Sequence, residues 1–252
     1  RLRLHLLKNH SIGTVRNVLE LLRRIINLGV GKQLCQPLNW TIKLPKPDPD
    51  SERIEVLTEE QFQQLNEVWG NYYDKHIVHL HQLIAWTGSR PSEALKLLWE
   101  DINFPMGTFT KRDTKSGQSL MFRMNQKVCA ILQAQRELLD ESVESMQTSQ
   151  FVFPGPLGGQ RKLDSYLKHF RRIRDLAGIP KDFRPNYCLR DTIATRLLSS
   201  GLLLDEVAHQ LGHTPGSPMT RRYARFLASA QQNIADRSQR VMDEMLGQPK
   251  SE

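Results

Sequence analysis

Apolar side chains at Val15, Val18, Leu19, Leu22, Ile25 and Ile26 recur with the 3.6-residue period of a helix, which predicts an amphipathic helix over residues 14–28 with Gly29 as its stop. A helix with one apolar stripe needs a partner to cover it. The period breaks at residues 44–51, Leu-Pro-Lys-Pro-Asp-Pro-Asp-Ser, where three prolines at alternate positions exclude helix and sheet and favour an extended connector. A domain boundary is therefore expected over 44–53, between residues 1–43 and a second domain over 54–252. Beyond it, Thr58 stands as the N-cap of a new helix, and helical patterns follow near 76–87, ending at Gly88, and 91–98. Between about 101 and 124 the pattern changes. Runs beginning at Gly107 and Gln118 are β-prone and flank the turn-prone triplet Lys115, Ser116 and Gly117, which reads as a small antiparallel sheet. Helices resume over 126–140, 162–177, 189–200, 204–211 and 224–246. The expected fold is mainly α with one small antiparallel β-sheet.

Charge narrows the choice of partner. The 35 Lys and Arg against 27 Asp and Glu leave a formal charge of +8, which favours a polyanion such as nucleic acid. Cys35, Cys129 and Cys188 are far apart, odd in number and outside any Cys-x-x-Cys pairing, so neither a disulfide framework nor a zinc site is indicated. A reducing, cytoplasmic setting is implied. No apolar run approaches the roughly 18 residues of a membrane span. The chain opens on Arg rather than Met, and is expected to be part of a longer protein.

Four polar residues, Arg90, Arg190, His213 and Tyr223, lie in patterns that place them at exposed helix ends. Arginine presents a planar fork of donors that stays charged, so two of them suit the non-bridging oxygens of one phosphate, and a tyrosine hydroxyl is a possible nucleophile. Arg90 falls between a helix ended by Gly88 and one that begins at Pro91. Glu93, three residues on, reads as a first-turn carboxylate that serves helix capping. Arg190 lies off the stripe formed by Leu189, Ile193 and Leu197. His213 follows Gly212, a residue suited to a left-handed helix cap. Of the other tyrosines, Tyr166 shares an apolar face with Leu163, Leu167 and Phe170, and Tyr72 and Tyr73 fall in a loop-like segment.

His209 and His213 have the four-residue spacing of a zinc pair, and His76 and His79 invite the same idea. It is disfavoured. Position 210 is Gln rather than the Glu of a metalloprotease helix, Gly212 interrupts the helix, and no obvious third ligand follows. No metal or other cofactor is expected.

Residues 87–95 (Thr-Gly-Ser-Arg-Pro-Ser-Glu-Ala-Leu), 189–195 (Leu-Arg-Asp-Thr-Ile-Ala-Thr), 211–213 (Leu-Gly-His) and 222–224 (Arg-Tyr-Ala) resemble, in order and spacing, the boxes of the tyrosine recombinases, the phage-integrase family. The resemblance implies a catalytic domain over 54–252, preceded by the end of a helical core-binding domain that clasps double-stranded DNA. It implies Tyr223 as nucleophile, forming a 3′-phosphotyrosine, with Arg90, Arg190 and His213 stabilising the transition state. Lys115 matches the lysine of the family's β-hairpin, which protonates the departing 5′ oxygen; Lys111 and Arg112 are nearby competitors. The chain departs from the family at Tyr187, where His or Lys is usual. A tyrosine there remains a donor at neutral pH, and the alternative is an aromatic packed under the helix start. Apolar positions Phe226, Leu227, Ala230, Ile234, Val241, Met242 and Met245 would form the C-terminal helix that docks on a neighbouring protomer of a tetramer, or pack on their own domain. The rival readings are a type IB topoisomerase and a catalytically inert DNA-binding module.

Overall fold

The computed structural model describes residues 2–46, 53–112, 119–184, 187–213 and 216–223, with short stretches at 238–239, 241–243 and 245–246. Two compact units are present, Arg1–Arg53 and Ile54–Glu252. In the first, α1 (Leu2–Asn9) and α2 (Ile12–Gly31) are joined at Ser11, whose hydroxyl caps α2 by accepting from the Thr14 amide. The apolar face of α2 is narrower than its sequence pattern. Val15 and Leu19 are buried, and Leu22 and Ile26 lie beside them against Leu6, Leu7, Ile42 and Leu44, whereas Val18 and Ile25 are exposed. The helix also runs through Gly29. A side chain there would meet the Cys35 sulfur at 2.9 Å, so this glycine allows a close approach and is not a stop.

The second unit is built around α4 (Lys75–Thr87), which is capped by Asp74 and carries Ile77, Val78, Leu80, His81, Leu83 and Ile84 inside. Around it lie α3 (Glu59–Asn71), α6 (Gln126–Asp140), α8 (Leu163–Leu176) and α9 (Cys188–Ser199). Thr58 caps α3 as expected, in a reciprocal pair with Gln61. The helix expected over 91–98 is only the single turn α5 (Pro91–Ala94), followed by a 3-10 turn at Trp99–Asp101. The chain leaves the helical path because its backbone pairs elsewhere: Leu97 O accepts from the Val152 amide at 2.9 Å, and the Trp99 amide donates to Gln150 O at 3.0 Å. Strands β1 (Ile102–Asn103), β2 (Thr108–Lys111) and β3 (Leu120–Arg123) form one antiparallel sheet in that order, with Phe109 opposite Phe122 and Lys111 opposite Leu120. The remaining elements are α7 (Glu144–Gln147), α10 (Leu204–Gln210) and α11 (Pro218–Arg221). The helix expected over 224–246 lies largely outside the described residues.

Burial in α9 departs from its apolar pattern. Ile193 and Leu197 are only half-buried, whereas Arg190, Asp191, Thr192 and Thr195 are inside. The chain that enters the domain bonds two of them: the Glu55 amide donates to Asp191 at 3.2 Å, and the Leu57 amide to Thr192 Oγ1 at 2.9 Å, while Thr195 Oγ1 donates back to Asp191 O at 2.9 Å. No helix among the described residues is long and apolar enough to cross a membrane.

His81 is fully buried against Tyr166 and Phe170, with neither ring nitrogen hydrogen-bonded among the described residues. Burial pulls its pKa from 6.5 to about 3, so the folded state holds it neutral while the unfolded chain takes up a proton below pH 6.5. Stability should therefore fall on acidification between those values, by up to about 1.4 kcal/mol per pH unit from this residue. Urea midpoints should drop from pH 7 to pH 5, and His81→Phe should make that dependence less steep, leaving the part due to the other histidines of lowered pKa, His213 among them. An equally steep fall in the variant would assign it to other groups.

Candidate active site

The end of α4, the start of α9 and the segment after α10 meet around Arg190, and Asp191 beside it holds Tyr223. Helix α4 ends at Gly88, in the left-handed region at φ 64°. A side chain at Gly88 would come within 2.7 Å of Leu211 and 3.0 Å of Ile193, so this closure requires glycine. The turn that follows is fixed by buried hydroxyls: Thr87 Oγ1 donates to Leu83 O at 2.7 Å and lies 2.6 Å from Ser89 Oγ. That turn sets Arg90 at the N-cap of α5. There, Glu93 accepts from the Arg90 amide at 2.9 Å and from its Nη1 at 2.6 Å. Glu93 thus caps the helix and anchors the guanidinium. Burial pushes its carboxyl pKa up, but the two Arg90 bonds and the Lys111 charge outweigh this and hold it below the usual range.

Arg190, expected at an exposed helix end, is 3% exposed. Its Nη1 donates to Gly88 O, and its Nη2 donates to Leu211 O at 2.6 Å and meets His213 Nε2 at 2.8 Å. One guanidinium thereby joins the end of α4 to the end of α10. Since arginine only donates, His213 Nε2 is the acceptor, and its Nδ1–H donates to Thr220 Oγ1 at 2.8 Å. Burial, then the charges of Arg190, Arg90, Arg222 and Lys111, pull the His213 pKa to about 3. Arg190 is drawn down to about 10 by burial and by Arg90, which leaves it charged at neutral pH.

Tyr223 is also buried rather than exposed, at 2%, and its hydroxyl donates to Asp191 Oδ1 at 2.6 Å. Arg222 Nη2 contacts both oxygens of the same carboxylate at 2.9 Å, and Arg184 lies 3.6 Å from it. Burial raises the phenol pKa well above its ordinary value, reinforced by the charge and hydrogen bond of Asp191. Asp191 escaped the sequence reading because a carboxylate in the first turn of a helix looks like a partner for the helix dipole. Nothing in its local pattern marks it as the fully buried residue that orders Arg222 and Tyr223.

Tyr187 stands at the start of α9, 38% exposed, with the Arg184 guanidinium 4.9 Å from its ring centre. Its hydroxyl makes no hydrogen bond among the described residues. Lys115 lies outside them. Lys111, at the end of β2, is buried over the Phe122 ring. The histidine pairs are otherwise engaged: both nitrogens of His213 are bonded and His209 lies against Phe122, while His76 and His79 both bind Gln135. Tyr166 lies in the core as expected, and Tyr72 is buried at the end of α3, 2.9 Å from His169 Nδ1.

The sequence profile of the phage integrase family matches residues 55–229. The chain belongs to that family, the tyrosine recombinases. It is 25% identical over 176 residues to the tyrosine recombinase XerA of Saccharolobus solfataricus, covering 70% of this chain and 54% of that protein. It is 28% identical over 177 residues to the tyrosine recombinase XerD of Staphylococcus saprophyticus, covering 69% and 58%. The chain thus spans little more than half the length of these curated relatives. In fold it matches the Tn1549 transposon integrase, solved in complex with transposon right end DNA, with a TM-score of 0.69 at 18% identity over 93% of this chain and 82% of that one.

Proposed function

We propose that this protein is a site-specific recombinase that cleaves and rejoins double-stranded DNA through a 3′-phosphotyrosine. The observation that carries the reading is the convergence of Arg90, Arg190 and His213, from three separate segments, beside a tyrosine that shares the carboxylate next to Arg190. Two guanidiniums, Arg190 buried and Arg90 half-buried, supply the bidentate donors that a phosphodiester needs, in a setting where their charge is less screened than in water. Tyr223 Oη attacks phosphorus as its proton passes to water, the bond to the 5′ oxygen breaks, and Lys115 gives its own proton to that oxygen. The phosphotyrosine conserves the bond energy, so a 5′ hydroxyl from another strand can reseal it. Before attack, the Tyr223 hydroxyl must exchange Asp191 for the phosphate, because a carboxylate and a phosphodiester repel each other.

The test is a nicked duplex that loses its 5′ hydroxyl on cleavage, so that covalent protein accumulates and is seen on a denaturing gel. Strand exchange between two sites then separates a recombinase from a supercoil-relaxing enzyme. Binding without adduct under any condition would leave an inert DNA-binding module. For residues 224–246 we infer docking on a neighbouring protomer of a DNA-bound tetramer. Val241, Met242 and Met245, each more than half exposed, support that reading. The unpaired Cys35, Cys129 and Cys188 support a reducing cytoplasm.

Tyr187 is assigned as a donor to the phosphate. Tyr187→Phe should melt with the parent, because the hydroxyl has no partner to lose among the described residues, while single-turnover cleavage slows by roughly 1–3 kcal/mol of barrier. A Phe variant as fast as the parent would remove Tyr187 from the site.

A further inference from the structure

Lys111 ends β2 on the face that carries Phe109 and opposes Leu120, and it is 3% exposed. Its ammonium lies 4.1 Å from the ring centre of Phe122 and 5.7 Å from that of Phe109, with no hydrogen-bond partner among the described residues. A ring face attracts a cation but supplies none of the acceptors for its three N–H groups, so the site is costly for a charge without a further partner. The groups that act on it electrostatically are Glu93 of α5, Arg90 at the start of that helix and Arg190 of α9. Its own charge in turn reaches His213, which is neutral. Glu93 is the one carboxylate among these groups, and Arg90 already holds it at 2.6 Å. Arg90, Arg190 and Lys111 share Glu93, and Asp191, which also acts on Arg190, is already held by Arg222 and Tyr223, so a further anion is what the cluster lacks.

We propose that Lys111 is a further donor to the scissile phosphate, its unpartnered ammonium completing, with Arg90 and Arg190, a seat for one phosphodiester. The proposal rests on reading this site as the one that cleaves DNA, and it gives Lys111 a part separate from that of Lys115. In the free protein, burial together with Arg190 and Arg90 pulls the Lys111 pKa to about 7, against the opposing pull of Glu93. A phosphate monoanion in the seat restores the charged form, so binding should draw in a proton at pH 8.

Two measurements test this. In Tyr223→Phe, which cannot form the adduct, calorimetric titration with a duplex at pH 8 in buffers of different ionisation enthalpy should show uptake of roughly one proton per site. The double variant with Lys111→Met, which keeps an unbranched apolar stem, should show none. In the otherwise unaltered protein, the adduct rate at limiting protein should fall above pH about 7. Lys111→Met should be slower on the order of a hundredfold, without that inflection. Absence of proton uptake in Tyr223→Phe, or a Lys111→Met protein with the parental rate and pH profile, overturns the proposal. Proton uptake lost with Lys111, in a protein that never forms an adduct, would uphold the seat and instead remove the cleavage reading.

Discussion

Tyr223→Phe will bind duplex DNA with the affinity of the parent protein and form no covalent adduct. The substitution removes one oxygen, and that oxygen is the atom assigned to attack phosphorus. Its effect on the fold should be small. The hydroxyl donates to Asp191 at 2.6 Å, but that carboxylate keeps both contacts from Arg222 and the amide of Glu55, so the loss should cost about 1 kcal/mol. Equilibrium binding, a denaturing gel of the trapped complex and a melting curve separate the two effects. An adduct formed by the Phe variant would show that the nucleophile is misassigned, and Tyr187 would be the next tyrosine to change.

Arg190→Lys and Arg90→Lys should both reduce cleavage on the order of a hundredfold or more, since an ammonium keeps the charge but cannot span two phosphate oxygens. Their effects on stability should differ. Arg190 donates to Gly88 O and Leu211 O and meets His213, so one lysine cannot hold the ends of α4 and α10 together, and its loss should cost about 1–3 kcal/mol or more. Arg90 is one-quarter exposed and bonded through its side chain to Glu93, so Arg90→Lys should melt close to the parent. Parental cleavage rates in both variants would mean that the arginines serve the fold alone. Equal melting temperatures would mean that the Arg190 contacts contribute nothing measurable to stability.

Much of the architecture was legible because its signals are local. Thr58, Gly88 and Pro91 mark helix ends through hydrogen bonding and backbone conformation within a few residues, and each stands where its chemistry suggests. The change of period after residue 101 likewise announced a small antiparallel sheet, to which Ile102–Asn103 adds a third strand beyond the two β-prone runs. The failures share a cause. The single turn at Pro91–Ala94 ends early because the chain beyond it pairs with residues 150–152, and no local pattern contains that partner. The outward side of α2 carries Val18 and Ile25, which the 3.6-residue count could not tell from the buried side.

The site divides along the same line. Residue types and their order singled out Arg90, Arg190, His213 and Tyr223 for phosphate chemistry, because a planar cation, an imidazole and a phenol have that chemistry wherever they stand. Burial, pairing and protonation were decided by the tertiary structure. Arg190 was expected at a surface and is instead enclosed by the ends of two helices, which leaves His213 neutral and accepting. Tyr223 is turned onto Asp191, and Lys111, one of many lysines in sequence, is the one enclosed with its ammonium unpartnered among the described residues. A sequence determines which groups are present and how nearby backbone hydrogen bonds close. The dielectric and the charges around each group come from segments far apart in the chain, and those exist only once the chain has folded.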